Sequence, residues 1–297
     1  MNIHTVFKPA LVAERPAPQA QAWRISFLAA LLEHQTALAI INEPSNVVAV
    51  AAPIELTSAL ALSASPPDGS LTVVWVPSAA GNMGDLDTQL HAWIRQDLAP
   101  NQSPVHASIK TVRITCSDTR AVIYAASEHL SDALDAVVRF TLAARQTVVL
   151  ETRMAATWPQ IKAHTPLTHA VTRHQQRLQP QVNALTERAT EMKAMHLRLQ
   201  TALEQLDPTL SGTSKRIYAD LALAGALHDR VEMLEDPIQF ALDHYELANW
   251  RLTEIGAARR GQILEVAIVI ILLADFGVRA LEFLMPRVSL LFSSVIP

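Results

Sequence analysis

The rhythm of hydrophobic and polar positions changes once along the chain, close to residue 126. Before that point, short Val-rich runs at Val47–Ala52 and Leu71–Val76 are bounded by proline and glycine, which is typical of β-strands. Two further apolar runs, Ile109–Cys116 and Ala121–Ala125, flank a turn-like Ser-Asp-Thr sequence and predict a β-hairpin. The first part of the chain is therefore predicted to contain several strands.

Helices are also expected in this first part. Trp23–His34 has apolar residues at helical spacing, and His91–Leu98 has the length of a short helix. Residues 1–22 contain a stretch rich in Pro, Ala and Gln and no apolar core of signal-peptide length, so they are interpreted as a flexible lead-in. The pattern predicts a small mixed α/β domain over residues 23–126.

Long helical segments begin once the strand signals stop. Ser131 is a suitable N-cap for the first helix, which meets no Gly or Pro before Pro159. Three more segments have helical periodicity: Leu167–Leu206, Leu210–Leu234 and a segment that starts at Asp236-Pro237. Pro180 is expected to kink or split the first of these three. Residues 127–262 thus predict long antiparallel helices, either as a plain bundle or as a projecting coiled-coil arm.

The densest apolar stretch lies near the C-terminus, at Ile263–Met285. Its 23 residues would rise about 34 Å as a helix, which exceeds a hydrocarbon core of roughly 30 Å. Nine uncharged residues in a row, Val266–Ala274, form its centre. We therefore predict a transmembrane helix over residues 263–285 and a short tail over residues 286–297. The fold class expected for the whole chain is α+β with a C-terminal membrane anchor.

Four charged residues lie within this stretch, and we call them the charged stripe: Glu265, Asp275, Arg279 and Glu282. At 100° per residue they fall within an arc of about 100°, so they share one face of a helix. Asp275 and Arg279 are also i,i+4 neighbours that can form an ion pair. The charged stripe is predicted to pack against another helix, from a second copy or from another membrane protein. The competing interpretation is a buried or interfacial helix in a soluble oligomer.

Basic residues are unevenly distributed around the predicted anchor. Arg251, Arg259 and Arg260 precede it, whereas Arg287 alone follows it. The positive-inside rule then keeps the N-terminal bulk of the chain on the cytoplasmic side of a single-pass anchor. The lipid bilayer is the first partner that the sequence predicts.

Composition narrows the classes of partner. Of 297 residues, 50% are hydrophobic and 18% are charged, and the net charge is −4. That charge provides no overall basic field, so nucleic acid is not expected as a partner. The single cysteine, Cys116, excludes an internal disulfide and a cysteine-based metal cage.

No motif specific to an enzyme occurs in the sequence, which lacks a P-loop, a nucleophile elbow and a His-Glu-x-x-His pattern. His164, His169 and His174 are spaced by five, so successive members point about 140° apart on a helix and share no ligand face. Glu232, Glu235 and Asp236 form an acidic patch that helix capping explains. No catalytic, cofactor-binding or metal-binding residue is assigned, and no cofactor is expected.

Several segments taken together resemble the required-for-meiotic-nuclear-division family of membrane-anchored proteins. The similar segments are Thr72–Val76, Leu142–Glu151, Glu235–Phe240, Tyr245–Leu252 and Leu264–Leu273. The resemblance implies an α/β N-terminal part, a long helical middle and a C-terminal anchor. It also implies a place at an inner membrane, where mitochondrial members of the family are linked to organelle translation. The composition and the lack of a transit peptide fit a bacterial relative.

The sequence thus predicts a non-enzymatic, membrane-tethered scaffold or assembly factor at the cytoplasmic face of a bacterial inner membrane. It is expected to associate with itself or with another membrane protein. Two alternatives stay open at this stage. One is an enzyme or metal-binding protein that uses the dispersed histidines or the acidic residues, and the other is a soluble helical oligomer whose last helix is buried.

Overall fold

The structure is a computed structural model. It describes residues 19–31, 36–61, 69–78, 84–100, 102–169 and 171–293. The chain divides into two compact units, each built from two separate segments. Unit 1 combines Met1–Thr157 with Thr190–Gln239, and unit 2 combines Trp158–Ala189 with Phe240–Pro297.

Unit 1 contains a seven-stranded mixed sheet. Its strands are β1 (Gln21–Leu28), β2 (Ala37–Ile41), β3 (Val47–Ile54), β4 (Leu71–Pro77), β5 (Val105–Ile109), β6 (Val112–Cys116) and β7 (Arg120–Ala125). The strand order is β2-β3-β1-β4-β7-β6-β5, in which β4 and β7 are parallel and the other neighbours are antiparallel. Every residue of β4 is buried, as expected for a central strand that is covered on both faces.

The strand predictions for β3, β4 and the β6–β7 hairpin are confirmed. The helix predicted at Trp23–His34 is wrong as far as Leu31, and its last three residues lie outside the described part of the chain. That segment begins within β1, whose backbone is hydrogen-bonded to β3 on one side and to β4 on the other. Trp23 and Ile25 are both buried and point to the same face, which is the two-residue period of a strand. Pairing on both edges satisfies the backbone of β1 and outweighs the local helical spacing.

Helices cover the two faces of the sheet. α1 (Leu56–Ala61) and α2 (Gly84–Arg95) pack on one face, where Leu90 and Trp93 join the core around Val74 and Val122. The short helix expected at His91–Leu98 is therefore the end of a longer one. On the other face, Arg145 of the next helix lies 5.5 Å from the centre of the Phe27 ring.

Long helices follow the sheet, which confirms the α+β class. They are α3 (Leu130–His164), α4 (Gln179–Glu204), α5 (Gly212–Ala224), α6 (Leu227–Glu232) and α7 (Glu235–Ser293). Two 3-10 helices, Thr165–Thr168 and Arg173–Leu178, connect α3 to α4. Pro180 lies in the first turn of α4, where its missing N–H costs nothing, so it splits the predicted helix rather than kinking it.

Candidate functional site

The first half of α7 is a packed helix. In unit 2, Ala241, Tyr245, Ala248 and Leu252 are all fully buried and are spaced by four, three and four residues. This is the spacing of a narrow apolar seam. Through this seam, the first half of α7 packs within unit 2.

The beginning of α4 packs along this seam in the opposite direction. Thr186 Oγ1 donates to the backbone carbonyl of Tyr245 at 3.4 Å, and Gln179 Nε2 donates to Thr253 Oγ1 at 3.1 Å. Because the earlier residue of α4 meets the later residue of α7, the two helices run antiparallel here. For α4 and the first half of α7, these two contacts agree with the antiparallel arrangement that the sequence predicts.

Burial along α7 ends before residue 263. Between Ile263 and Val278 the large apolar side chains are each 49–72% exposed, and we call this range the apolar segment. Within the residues that the structure describes, one helix is long and apolar enough to cross a membrane, and its most apolar window is 0% buried. The core helix of a soluble protein passes the same test of length and composition, but its apolar side chains are covered.

The four residues of the charged stripe lie on this one continuous helix. Arg279 Nε is 3.1 Å from Asp275 Oδ2, and the two side chains are 76% and 58% exposed. Glu265 is exposed ten residues earlier, about 15 Å along the helix axis. Glu282 lies in α7 beyond the last side chain that the structure describes. The structure therefore brings together two of the four predicted residues as a pair.

The free energy contributed by the Asp275–Arg279 ion pair differs between water and lipid. An exposed i,i+4 ion pair in water contributes about 0.3–0.5 kcal/mol. An unpaired charge at the centre of a membrane helix costs about 2.5–3.5 kcal/mol on insertion scales. Pairing therefore matters chiefly where the surroundings of the helix are apolar.

A histidine–tyrosine cluster in unit 2 is the site that sequence reasoning missed. The ring of Tyr245 lies 6.1 Å from that of His164 and 5.4 Å from that of His244. His164 Nδ1, His244 Nε2 and Tyr245 Oη are buried with no hydrogen-bond partner among the described residues. The pKa of His244 is lowered by desolvation and then by the nearby His164 and His169. In the sequence, only the adjacent His244 and Tyr245 could indicate this cluster, and they do not indicate that His164 belongs to it.

The histidines and acidic residues considered in the sequence do not converge as a set. Of the three evenly spaced histidines, His164 joins the cluster, whereas His169 and His174 are exposed. In the acidic patch, Glu235 Oε1 lies 3.8 Å from Lys193 Nζ. Across the described ranges, no group of three His, Cys, Asp or Glu side chains is placed to hold a metal ion.

A cavity of about 240 Å³ in unit 1 lies between the β6–β7 turn, α3 and the corner that joins α5 to α6. We call it the hairpin cavity. One wall contains Ser117, whose Oγ donates to the Asp97 carboxylate at 2.7 Å. The same carboxylate accepts from Thr119 N and Oγ1 at 2.7 and 2.8 Å. Another wall contains Arg230, whose guanidinium donates to both carboxylate oxygens of Glu151 at 2.8 and 2.7 Å.

Comparisons with known proteins assign no family to this chain. No family model matches it, and no curated protein matches it at a significant level. Among solved structures it is similar to the structure of the full-length CmaX protein, with 11% sequence identity over 93% of this chain and 87% of that chain and a TM-score of 0.30. A TM-score this low carries no argument about fold or function. The resemblance to the required-for-meiotic-nuclear-division family stays a prediction.

Proposed function

We propose that this protein is a membrane-tethered, non-enzymatic scaffold or assembly factor held by a single pass of α7. The observation that carries the proposal is the change along one helix. The seam of α7 is buried in unit 2, whereas the apolar segment that continues it has no protein cover among the described residues. A helix of this kind fixes a folded body to an apolar phase.

The free-energy cost of exposing apolar side chains to water supports a lipid environment for the apolar segment. Burial of apolar surface is worth about 25 cal/mol per Å², so a row of exposed Ile, Leu, Val and Phe side chains forgoes a large stabilisation in water. Monomeric soluble proteins rarely expose a continuous apolar patch larger than a few hundred Å². A bilayer covers all sides of the apolar segment, which a single packed helix cannot do.

The side of the membrane follows from flanking charge. Three arginines, Arg251, Arg259 and Arg260, precede the segment, and Arg287 follows it. This asymmetry supports a cytoplasmic location for the bulk of the chain. Together with the family resemblance, it supports the cytoplasmic face of a bacterial inner membrane.

Partner choice rests on the charged stripe. Because Asp275 and Arg279 share one face with Glu265, a second helix on that face would shield all three from lipid. The partner is a second copy of this chain or another membrane protein. An exposed apolar helix next to a folded body, in a sequence without a catalytic motif, supports a scaffold role.

Truncation tests the anchor directly. A chain that ends after Gln262 lacks the apolar segment and is expected to leave the membrane fraction during a carbonate wash. The matched control ends after Ser293, keeps the whole of α7 and is expected to stay in the pellet. Release of both chains, or retention of the shorter one, would place the anchor elsewhere.

A point substitution distinguishes insertion into the bilayer from nonspecific adsorption to its surface. Ile270 lies on the opposite side of the helix from the charged stripe, about 170° from the centre of its arc. Ile270→Lys should therefore reduce membrane insertion severalfold, whereas Glu265→Gln should not reduce it. A full-length protein that stays in solution without detergent as a defined oligomer would instead support the soluble alternative.

A further inference from the structure

The exposed side of α7 carries a seven-residue repeat that the fold of one chain does not use. Every seventh residue from Phe240 onward belongs to a first row, which contains Phe240, Leu247, Glu254, Gly261, Ile268 and Asp275. A second row begins three residues later, at Asp243, and ends at Val278. The two rows are the a and d positions of a heptad, and we call them the heptad face. Every residue of both rows is exposed.

The opposite side of the same helix is the one that packs in unit 2. Ala241, Tyr245, Ala248 and Leu252 of the buried seam fall at b and f positions, which point away from a and d. The heptad face therefore points outward from the seam, along a continuous helix of 59 residues. Contact between this face and another helix would leave the packing of α7 in unit 2 undisturbed.

Large apolar side chains of the heptad face also occur outside the proposed membrane span. Phe240, Leu247 and Trp250 are 51%, 42% and 56% exposed. Monomeric soluble proteins rarely expose a continuous apolar patch of this kind. A bilayer around the apolar segment would not reach it, because Trp250 precedes Ile263 by about 20 Å along the helix axis. A protein surface is therefore the expected cover for this part of the face.

The period of the repeat indicates that this cover is a helix. Seven residues are slightly fewer than two turns, so the heptad face drifts by about 20° per heptad around a straight helix. Two helices keep such faces in contact by winding around each other as a left-handed supercoil. Gly261 agrees with a close approach, because a Cβ added there would meet nothing within 4 Å in its own chain. The fold of one chain thus does not require this glycine, whereas small residues let two helices pack closely.

The charges that flank the heptad face complement one another between two parallel copies. In parallel helices in register, position g of one heptad faces position e of the next heptad in the neighbour. The charged g positions are Glu246 and Arg260, and the others up to residue 274 are Thr or Ala. Glu246 would thus face Arg251 of a second copy, and Arg260 would face Glu265. Both charged g positions meet an opposite charge, which favours a second copy as the partner.

Two acidic residues within the first row each have an arginine one turn away. Glu254 Oε2 lies 3.5 Å from Arg251 Nη1, and Asp275 Oδ2 lies 3.1 Å from Arg279 Nε. Both arginines occupy e positions, at the edge of the heptad face, where they offset the acidic charge of their own chain. A polar residue at an a position lowers the stability of a coiled coil but specifies its register.

We propose that α7 forms a parallel, in-register coiled coil with α7 of a second copy, from Phe240 to Val278. The parallel direction rests on the proposed function, because copies that are anchored by one pass share the same orientation in the membrane. The charged stripe then belongs to the membrane part of a longer interface, whose first half lies outside the lipid. The complementary g and e charges lie within one sequence, so the partner is a second copy rather than another membrane protein.

A charge exchange outside the lipid tests this contact in the full chain. Two differently tagged copies are expressed together, and the fraction of one tag that co-purifies with the other in mild detergent measures association. Glu246→Arg alone and Arg251→Glu alone, each present in both copies, should lower this fraction about tenfold, because opposite charges become like charges. The double variant, with both changes, should restore it. A Glu246→Arg copy should also associate with an Arg251→Glu copy.

Two controls show that the effect belongs to the heptad face. Glu191→Arg, on the exposed side of α4, should leave the co-purified fraction unchanged. In a Cys116→Ala background, Leu247→Cys should give crosslinked copies under mild oxidation, whereas Asn249→Cys, on the opposite side of α7, should not. Circular dichroism establishes that each variant is folded.

The outcomes distinguish this inference from the proposed anchor. If the chain stays in a carbonate-washed pellet and the single variants associate like the unchanged chain, the coiled coil is wrong and the anchor stands. If the chain leaves the pellet and the double variant still restores association, the anchor is wrong and the contact stands. A double variant that associates no better than the single ones would overturn the parallel register. Equal crosslinking at positions 247 and 249 would overturn the heptad face as the contact.

Discussion

At the scale of single residues, the β6–β7 turn depends on one carboxylate. Asp97 accepts three hydrogen bonds from Ser117 and Thr119, each between 2.7 and 2.8 Å. Asp97→Ala leaves these donors unpaired and is expected to lower the free energy of unfolding by about 2–4 kcal/mol. Chemical denaturation in nanodiscs, followed by near-UV circular dichroism, measures the change. Glu191→Ala on the exposed side of α4 is the control, and an equal loss in both variants would contradict the prediction.

The lowered pKa of His244 makes stability depend on pH. In the folded chain this side chain resists protonation, whereas in the unfolded chain it titrates near 6.5. As pH falls below about 6.5 the unfolded state therefore binds a proton that the folded state does not, and stability decreases until the folded-state pKa is reached. Above pH 6.5 this effect is absent.

His244→Gln should flatten the fall of the thermal midpoint between pH 7.5 and pH 5. The pKa of His106 in unit 1 is also lowered, by desolvation, His91 and Arg95, so the difference between variant and unchanged chain is the measured quantity. His228→Gln, at an exposed position on α6, should keep the original pH dependence. Identical slopes for His244→Gln and the unchanged chain would show that His244 does not carry the effect.

At the scale of elements, the sequence predicts those strands and helices whose own residue pattern favours one secondary structure. Strands β3 and β4 and the β6–β7 hairpin carry Val-rich runs with turn residues between them, and α7 carries both an Asp-Pro start and a long apolar stretch. The sequence predicts a helix at β1 because Ile25 and Leu28 fit the helical spacing of three residues. Pairing with β3 and β4, which are distant in sequence, selects a strand instead.

Other element boundaries also depend on distant contacts. α3 continues past Pro159 to His164, although proline removes a helix hydrogen bond. The helix predicted at Leu210–Leu234 is broken at Gly225 and Ala226, where the chain packs closely against Phe140. The hairpin cavity joins Asp118, Thr141 and Arg230 from three separate segments, so no spacing in the sequence could reveal it.

The charged stripe gives an element-scale prediction for α7. Asp275→Leu should increase membrane insertion, because it replaces a residue costing about 2.5–3.5 kcal/mol with a favourable one. The same change should weaken assembly, since the partner helix loses a polar contact. Ile271→Phe, beside the stripe, should weaken assembly through packing alone. Complex size in mild detergent is the measurement, with Leu273→Phe on another face as the control.

Two outcomes would contradict this prediction. If Asp275→Leu and Ile271→Phe both leave the complex size unchanged, the stripe does not face protein. If Leu273→Phe disrupts assembly as strongly as Ile271→Phe, the contacting face lies elsewhere on the helix.

At the scale of the whole molecule, the proposed anchor would confine every copy to the same membrane. Confinement raises the effective concentration of the anchored helices and favours association that would be weak in solution. Association would then give the polar face of α7 partner groups in a neighbouring copy. Self-association is therefore the version of the scaffold proposal that needs the fewest components.

Cysteine crosslinking in membranes tests self-association. Cys116 is buried, and burial raises the pKa of its thiol to about 12, so it is expected to be unreactive. In a Cys116→Ala background, Asp275→Cys and Arg279→Cys should each give crosslinked dimers under mild oxidation. Ile270→Cys, on the opposite side of the helix, should give far fewer. Differently tagged copies expressed together should appear in the same crosslinked species, which identifies a bond between chains.

If neither stripe position crosslinks while Asp275→Leu leaves the complex size unchanged, the proposal of a second copy as the partner is wrong. Retention of the full chain in a carbonate-washed pellet would then favour another membrane protein as the partner, and its loss from the pellet would favour a soluble bundle.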